Sequence, residues 1–214
     1  MSLYVPAAHE ARDRAAIARL LHDHPFATLV TPAPGEPHVS HVPLLHLADC
    51  EPHGTLIGHF ARANPHVAGA AGAESIAIFH GPHAYVSPSW YAEPAAAVPT
   101  WNYAVVHAHG PLELARDPAE TRAILDALIH RFESRRAAPW QLGLDRARLD
   151  AMVAAIVGFR IKVRRLDVKF KLSQNRTPED RARVASSLAA EGYPEAVATA
   201  AWMRAYVPAA DGKR

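Results

Sequence analysis

One cysteine, Cys50, occurs in 214 residues, so no disulfide can form within the chain and folding must rest on a buried core. No run of 18 or more apolar residues and no charged-then-apolar leader is present, so no membrane span is expected and the cytoplasm is the expected compartment. Neither charge sign dominates: 23 Lys and Arg against 21 Asp and Glu give a formal net charge of +2 with the 14 His counted neutral. That leaves no global basic field of the kind that argues for nucleic acid, so any DNA contact would have to be local. Walker-type and GxGxxG loops are missing, which removes nucleotide hydrolysis and a Rossmann domain. Ser87 and Ser89, in VSPSW, lack the glycine elbow that exposes an attacking hydroxyl. His80, His83, His107 and His109 have no acidic or cysteine-rich flanks, and no metal is expected on them.

What is present is an ordinary globular composition, 50% hydrophobic, and a length suited to one domain over 1–214. Ile17, Leu20 and Leu21 predict a helix from Glu10 to His24, stopped at Pro25. Strands are expected over Phe26 to Thr31, His38 to Leu47, Thr55 to Phe60, Ser75 to His80, His83 to Pro88 and Thr100 to Leu114, with a turn at Asp49 to Gly54. A short helix is expected from Asn64, its N-cap, to Gly72. A helical insertion covers about 117–155, opening at Asp117-Pro118 and resuming at Asp145 after Pro139 and Gly143. Val157 to Leu172 reads as basic strand, and the tail over about 177–206 as two helices parted by Gly192 and Pro194.

The densest signal runs from Ala77 to Gly110. Tyr85, Trp90, Tyr91, Trp101 and Tyr103 each join a flat apolar face to a polar tip, which suits stacking on a planar ring and equally suits the rim of a barrel. HPFATLVT, SHVPLL, GHFARANPH, FHGPHAYVSPSWY, VPTWNYAVVHAHG and KFKLSQNR follow one another from His24 to Arg176, and together they resemble the PaiB family, described as FMN-binding negative transcriptional regulators. The resemblance implies an α+β, mainly β, fold: an antiparallel FMN-binding split β-barrel with packed peripheral helices. It also implies a homodimer with the flavin at the subunit interface.

FMN asks three things of a protein. Its phosphate needs cations and backbone donors, for which Arg62 and Asn64 are candidates, with Lys169 or Lys171 able to add charge because residues two apart share a strand face. The pyrimidine edge needs amides, for which Asn102, Gln174 and Asn175 are candidates with Ser40 and His41. Ser40 and His41 are adjacent and face opposite sides of an ideal strand. The tricycle needs a flat platform, with Trp101 as first choice and Trp90 or Tyr103 in reserve. The Arg-bearing helix TPEDRARVASSL follows a strand rather than a partner helix and a short glycine turn, so direct operator reading is not expected. A flavin oxidoreductase acting on a small planar substrate, with His107, His109 and Tyr85 handling protons, is the alternative; a haem-binding role is another.

Overall fold

The computed structural model describes residues 3–48 and 52–206; Cys50 and the start of the turn expected at Asp49 lie outside the described residues. In chain order the elements are α1 (Arg14–Asp23), β1 (Phe26–Thr31), β2 (His38–Pro43), β3 (Leu45–Leu47), β4 (Thr55–Ala61), α2 (His66–Ala70), β5 (Glu74–Val86), β6 (Thr100–Leu114), α3 (Pro118–Glu133), α4 (Arg146–Ala154), β7 (Ile156–Lys162), β8 (Arg165–Lys171), α5 (Pro178–Glu191) and α6 (Pro194–Tyr206). The strand order is β2-β1-β5-β6-β7-β4-β3, with β8 added on β6. The chain forms two compact units, each assembled from separate stretches. The larger holds Leu21–Phe79 and His107–Leu166; the smaller holds Met1–Leu20, His80–Val106 and Asp167–Arg214. Among the described residues no helix is long and apolar enough to cross a membrane.

Helix starts follow their caps. The side chains of Asp117, Asp145 and Thr177 accept from the backbone N–H of Glu120, Arg148 and Asp180, as their place at the head of each expected helix predicts. α5 ends where Gly192 takes φ 76°, a conformation that glycine adopts without strain. Two expected runs are divided. His38 to Leu47 splits at Leu44, which is fully buried, and Val157 to Leu172 splits at Val163 and Arg164.

In the larger unit β1 and β2 pair antiparallel from Phe26↔Pro43 to Thr31↔His38. Ala27, Leu29 and Thr31 turn inward, while Phe26, Thr28 and Val30 lie on the outer face beside His41 and Val39. Leu44, Leu56, Phe60, Phe159 and Ile161 form the core, with the Phe60 and Phe159 rings stacked at 4.3 Å. Burial of each such side chain contributes about 1.5–3 kcal/mol. α3 seats Ile124 and Leu128 against Ile57 on β4. Gly158 permits this approach: a Cβ there would lie 3.1 Å from Thr121 Cα, and its N–H donates to Thr121 Oγ1 at 3.2 Å.

In the smaller unit α5 and α6 bury Val184, Leu188, Ala196, Ala200 and Met203, and Trp202 packs edge-on against Phe170 at 5.3 Å. The strands expected at Ser75 to His80 and His83 to Pro88 are one strand, β5. Buried residues fall at 75, 77, 79 and 81, then at 82, 84 and 86, so the alternation reverses at Gly81-Pro82. Gly81 eases the packing there, since a Cβ would meet Leu20 Cδ1 at 3.0 Å and Ala104 Cβ and O at 3.2 Å. The reversal leaves His80 and His83 both outward although they are three residues apart.

Candidate cofactor site

Ser40, His41, Arg62 and Asn64 fall in the larger unit. Ser40 is buried and His41 exposed, the latter stacked on Phe26 with ring centroids 6.4 Å apart, so alternation gives them separate surroundings. Arg62 follows β4 and is exposed. Its Nε donates to Ala154 O at 2.5 Å and its Nη2 to Ile156 O at 2.9 Å, which fixes the guanidinium plane beside the α4–β7 junction. The remaining N–H groups of the fork stay open to a further acceptor. α2 begins at His66 rather than at Asn64, and Asn64 instead builds the turn before it: its Oδ1 accepts from His66 N at 2.9 Å.

A buried polar chain, not anticipated from the sequence, holds this turn. Burial first, then the proximity of His38, lowers the His66 pKa to about 4, so the ring is neutral at pH 7. Ser75 donates to Ala73 O at 3.2 Å, so its oxygen accepts the Thr31 hydroxyl at 2.6 Å. Thr31 then accepts from His66 Nε2–H at 2.7 Å, which leaves Nδ1 to accept from Ser40 at 2.9 Å. Ser40 Oγ in turn accepts from Asn64 Nδ2 at 3.1 Å. Every donor points the same way, and the network assigns the Nε2–H tautomer. Ser40 therefore orients Asn64. Phe60 stacks on the other side of His66 at 4.8 Å.

Trp101, Asn102, Lys169, Lys171 and Gln174 fall in the smaller unit. Trp101 is 52% exposed and meets Tyr85 edge-on at 6.2 Å. Asn102 is fully buried on the opposite face: its Nδ2 donates to Ser173 Oγ at 2.9 Å and its Oδ1 accepts from that hydroxyl at 3.2 Å. Asn102 thus holds Ser173, whose φ of 64° is in the left-handed region, rather than presenting an edge beside Trp101. Gln174 braces the same turn, accepting from Leu172 N at 2.7 Å and donating to Phe170 O. Asn175, the remaining amide candidate, is exposed, and the reserve Trp90 lies in a short 3-10 turn, Pro88–Trp90. Lys171 Nζ donates to Thr100 Oγ1 and Trp101 O, both at 2.6 Å, and Lys169 Nζ to Tyr4 O at 3.1 Å. Beside them His80, His83, Trp101, Tyr103 and Val105 line an open cleft of about 390 Å³.

The fold recurs in an FAD and haem binding protein from Mycobacterium smegmatis, 20% identical, with a TM-score of 0.59 over 76% of this chain and 73% of that one. The architecture is the antiparallel split β-barrel of flavin-binding proteins, with helices packed around it. Sequence comparison narrows the class. The chain is 34% identical over 197 residues to the Protease synthase and sporulation protein PAI 2 of Bacillus subtilis, covering 91% of this chain and 93% of that protein. It is 30% identical over 224 residues to an uncharacterised protein of Emericella nidulans, covering 86% and 89%. The family model described as "Putative FMN-binding domain" matches residues 3–165, and the chain belongs to this FMN-binding family, with FMN as its cofactor.

The larger unit has a donor set that suits the phosphate of FMN. Arg62 has no carboxylate partner among the described residues, and the Asn64 turn beside it is pre-organised. In the same segment His59 Nδ1 is buried without a hydrogen-bond partner, and burial lowers its pKa, so a neutral ring retains capacity for one more contact.

Proposed function

We propose that this FMN-binding protein works as a flavin-loaded homodimer that influences transcription without reading DNA itself. The observation that carries the reading is the braced, carboxylate-free guanidinium of Arg62 beside the Asn64 turn in a chain of the FMN-binding family. Arg62 and the Asn64 turn would hold the phosphate, and Ser40 and His66 would keep Asn64 in place. FMN when bound supplies the redox-active ring; the chain's residues bind and orient it.

Self-association is supported by the outer face of β1, β2 and the start of β5, where Phe26 is 65% exposed and Val39 54%, with Val30, Ile76 and Ile78 half-buried beside them. A second copy of the chain is the occupant we assign to that face, in a dimer that shares its cofactor sites. An indirect route to transcription is supported by α6, which follows α5 after a short glycine turn yet buries Thr199, Trp202 and Met203 and carries one arginine, Arg204, engaged with Ala185 O at 3.4 Å.

Equilibrium titration of apo protein with FMN, followed by sedimentation at micromolar concentration, tests the reading. Stoichiometric binding and a dimer are expected; absence of FMN binding, or a clean monomer with FMN bound, overturns it. Operator binding at nanomolar concentration with at least about a thousandfold preference over random duplex would overturn the indirect route. The open aromatic cleft favours a second reading, a flavin oxidoreductase acting on a planar molecule. Bleaching of the bound flavin by NADH or NADPH, followed by reoxidation with planar acceptors, would support it.

A further inference from the structure

Three cations of the smaller unit stand together without a counter-ion among the described residues. Lys169 is 92% buried by its 8% relative exposure, with Nζ 5.3 Å from the Tyr4 ring centroid and 5.4 Å from that of Tyr103. Lys171 lies two residues along the same strand face. Arg176 sits 4.6 Å over the Tyr91 ring. No carboxylate lies within ion-pair distance of any of the three among the described residues. Glu10, which faces Lys169 across a β-bridge, pairs with Arg12 at 2.8 Å, and Asp167, two residues along the strand, accepts from Leu3 N at 3.2 Å. Cations elsewhere on the same basic run are paired, Arg160 with Glu120 and Arg164 with Glu74 at 3.7 Å.

A buried ammonium without a counter-ion is costly, and charges of one sign gathered in one place add repulsion. Burial, then Lys169, then Arg176 lower the Lys171 pKa, so Lys171 feels both effects. Hydrogen-bonding capacity also remains: two of the three Lys171 N–H groups and one of the Lys169 three are engaged. The two lysines touch the backbone of Trp101 and the ring of Tyr103, and both aromatic residues line the cleft with His80 and His83.

We propose that Lys169, Lys171 and Arg176 form an anion site that receives the carboxylate or phosphate of a planar aromatic ligand whose ring lies in the Trp101–Tyr103 cleft. The proposal rests on the assignment of the FMN phosphate to Arg62, and makes the ligand a molecule other than the cofactor. The cleft supplies stacking surface and the cations supply charge-assisted hydrogen bonds, and three unpaired positive charges select against cationic rings.

The test is calorimetric titration of the FMN-loaded protein with 2-naphthoate and with its neutral counterpart, naphthalene-2-carboxamide. The carboxylate should bind at least about tenfold more tightly than the amide, the fold-change expected for one charge-assisted contact. Lys171→Met should remove that preference, Lys171→Arg should restore part of it, and FMN affinity should change less than about threefold in both. Equal binding of carboxylate and amide, or naphthoate binding unaltered by Lys171→Met, overturns the proposal. So does a tenfold loss of FMN in Lys171→Met with riboflavin unaffected, because the cluster would then be the cofactor's own phosphate contact. If the purified protein takes up no FMN at all, the cofactor reading fails by itself, and the same titration of apo protein still reads the cation cluster.

Discussion

Two polar regions, one in each unit, are built on opposite principles. Around Ser40 in the larger unit the chain satisfies itself: Asn64, Ser40, His66, Thr31 and Ser75 hand hydrogen bonds along one direction, and the buried imidazole is neutral. Around Lys171 in the smaller unit charge accumulates without neutralisation, although hydrogen-bond acceptors are close. A closed network resists removal of any member because each loss strands the next group, and so its residues position others. An open cluster loses little within the folded chain when a member goes, and its use lies in what it can still bind.

Truncation should separate the regions most strongly. His66→Ala empties a buried site and leaves Ser40 and Thr31 without their partner, an expected loss of about 3 kcal/mol, read as a lower urea midpoint with unchanged slope. Lys171→Met should lower stability by less than about 1 kcal/mol, read the same way. Equal losses would abolish the contrast.

Titration sharpens it next. His66 binds its proton more weakly when folded, so below its ordinary 6.5 the unfolded chain takes up the proton first. Stability from this group is complete above pH 6.5 and falls as pH drops toward about 4, by on the order of 3 kcal/mol. His66→Asn should flatten that part of a midpoint-versus-pH curve. Lys171 is depressed from 10.5, so its sign is the same but its window is alkaline, with stability rising as pH climbs toward that value. A curve with no acid slope would remove His66 from the network as drawn.

Ligand affinity is the third separation. Arg62→Ala should weaken FMN by about tenfold to a hundredfold, or 1.5–3 kcal/mol, and leave riboflavin unchanged, measured by fluorescence titration of apo protein. Loss of both flavins together would place Arg62 in structural support instead. The smallest effect belongs to Trp101→Ala: with the ring 52% exposed, stability should change by about 0.5 kcal/mol or less in thermal melts.

Local signals were legible in the sequence. Asp117, Asp145 and Thr177 mark helix starts because a cap acts within three residues, and the opposed burial of Ser40 and His41 follows from strand alternation alone. The same alternation parts Trp101 from Asn102, since neighbours on a regular strand cannot share one face. His66 was not legible. Its partners Thr31 and Ser40 lie 35 and 26 residues away, and a histidine after Asn-Pro reads as one more loop residue until the strands bring those hydroxyls to it. The cation cluster was half legible: the shared face of Lys169 and Lys171 follows from spacing, but the lack of an ion pair to them among the described residues is a property of the folded neighbourhood.

The Gly81-Pro82 pair has a consequence best put in the language of periodic signals. Along β5 the side chains form a wave of period two, and this dipeptide inserts a half-period phase slip, so the wave before it and the wave after it are out of step. Replacing the pair with two residues that continue the regular alternation would bring the halves back into step. Ala84 and Val86, now buried, would then occupy the outward positions, while His83 and Tyr85 would turn inward. Straightening two residues in the middle of a strand would thus rewrite the chemistry of every position after them, although no functional side chain had itself been changed.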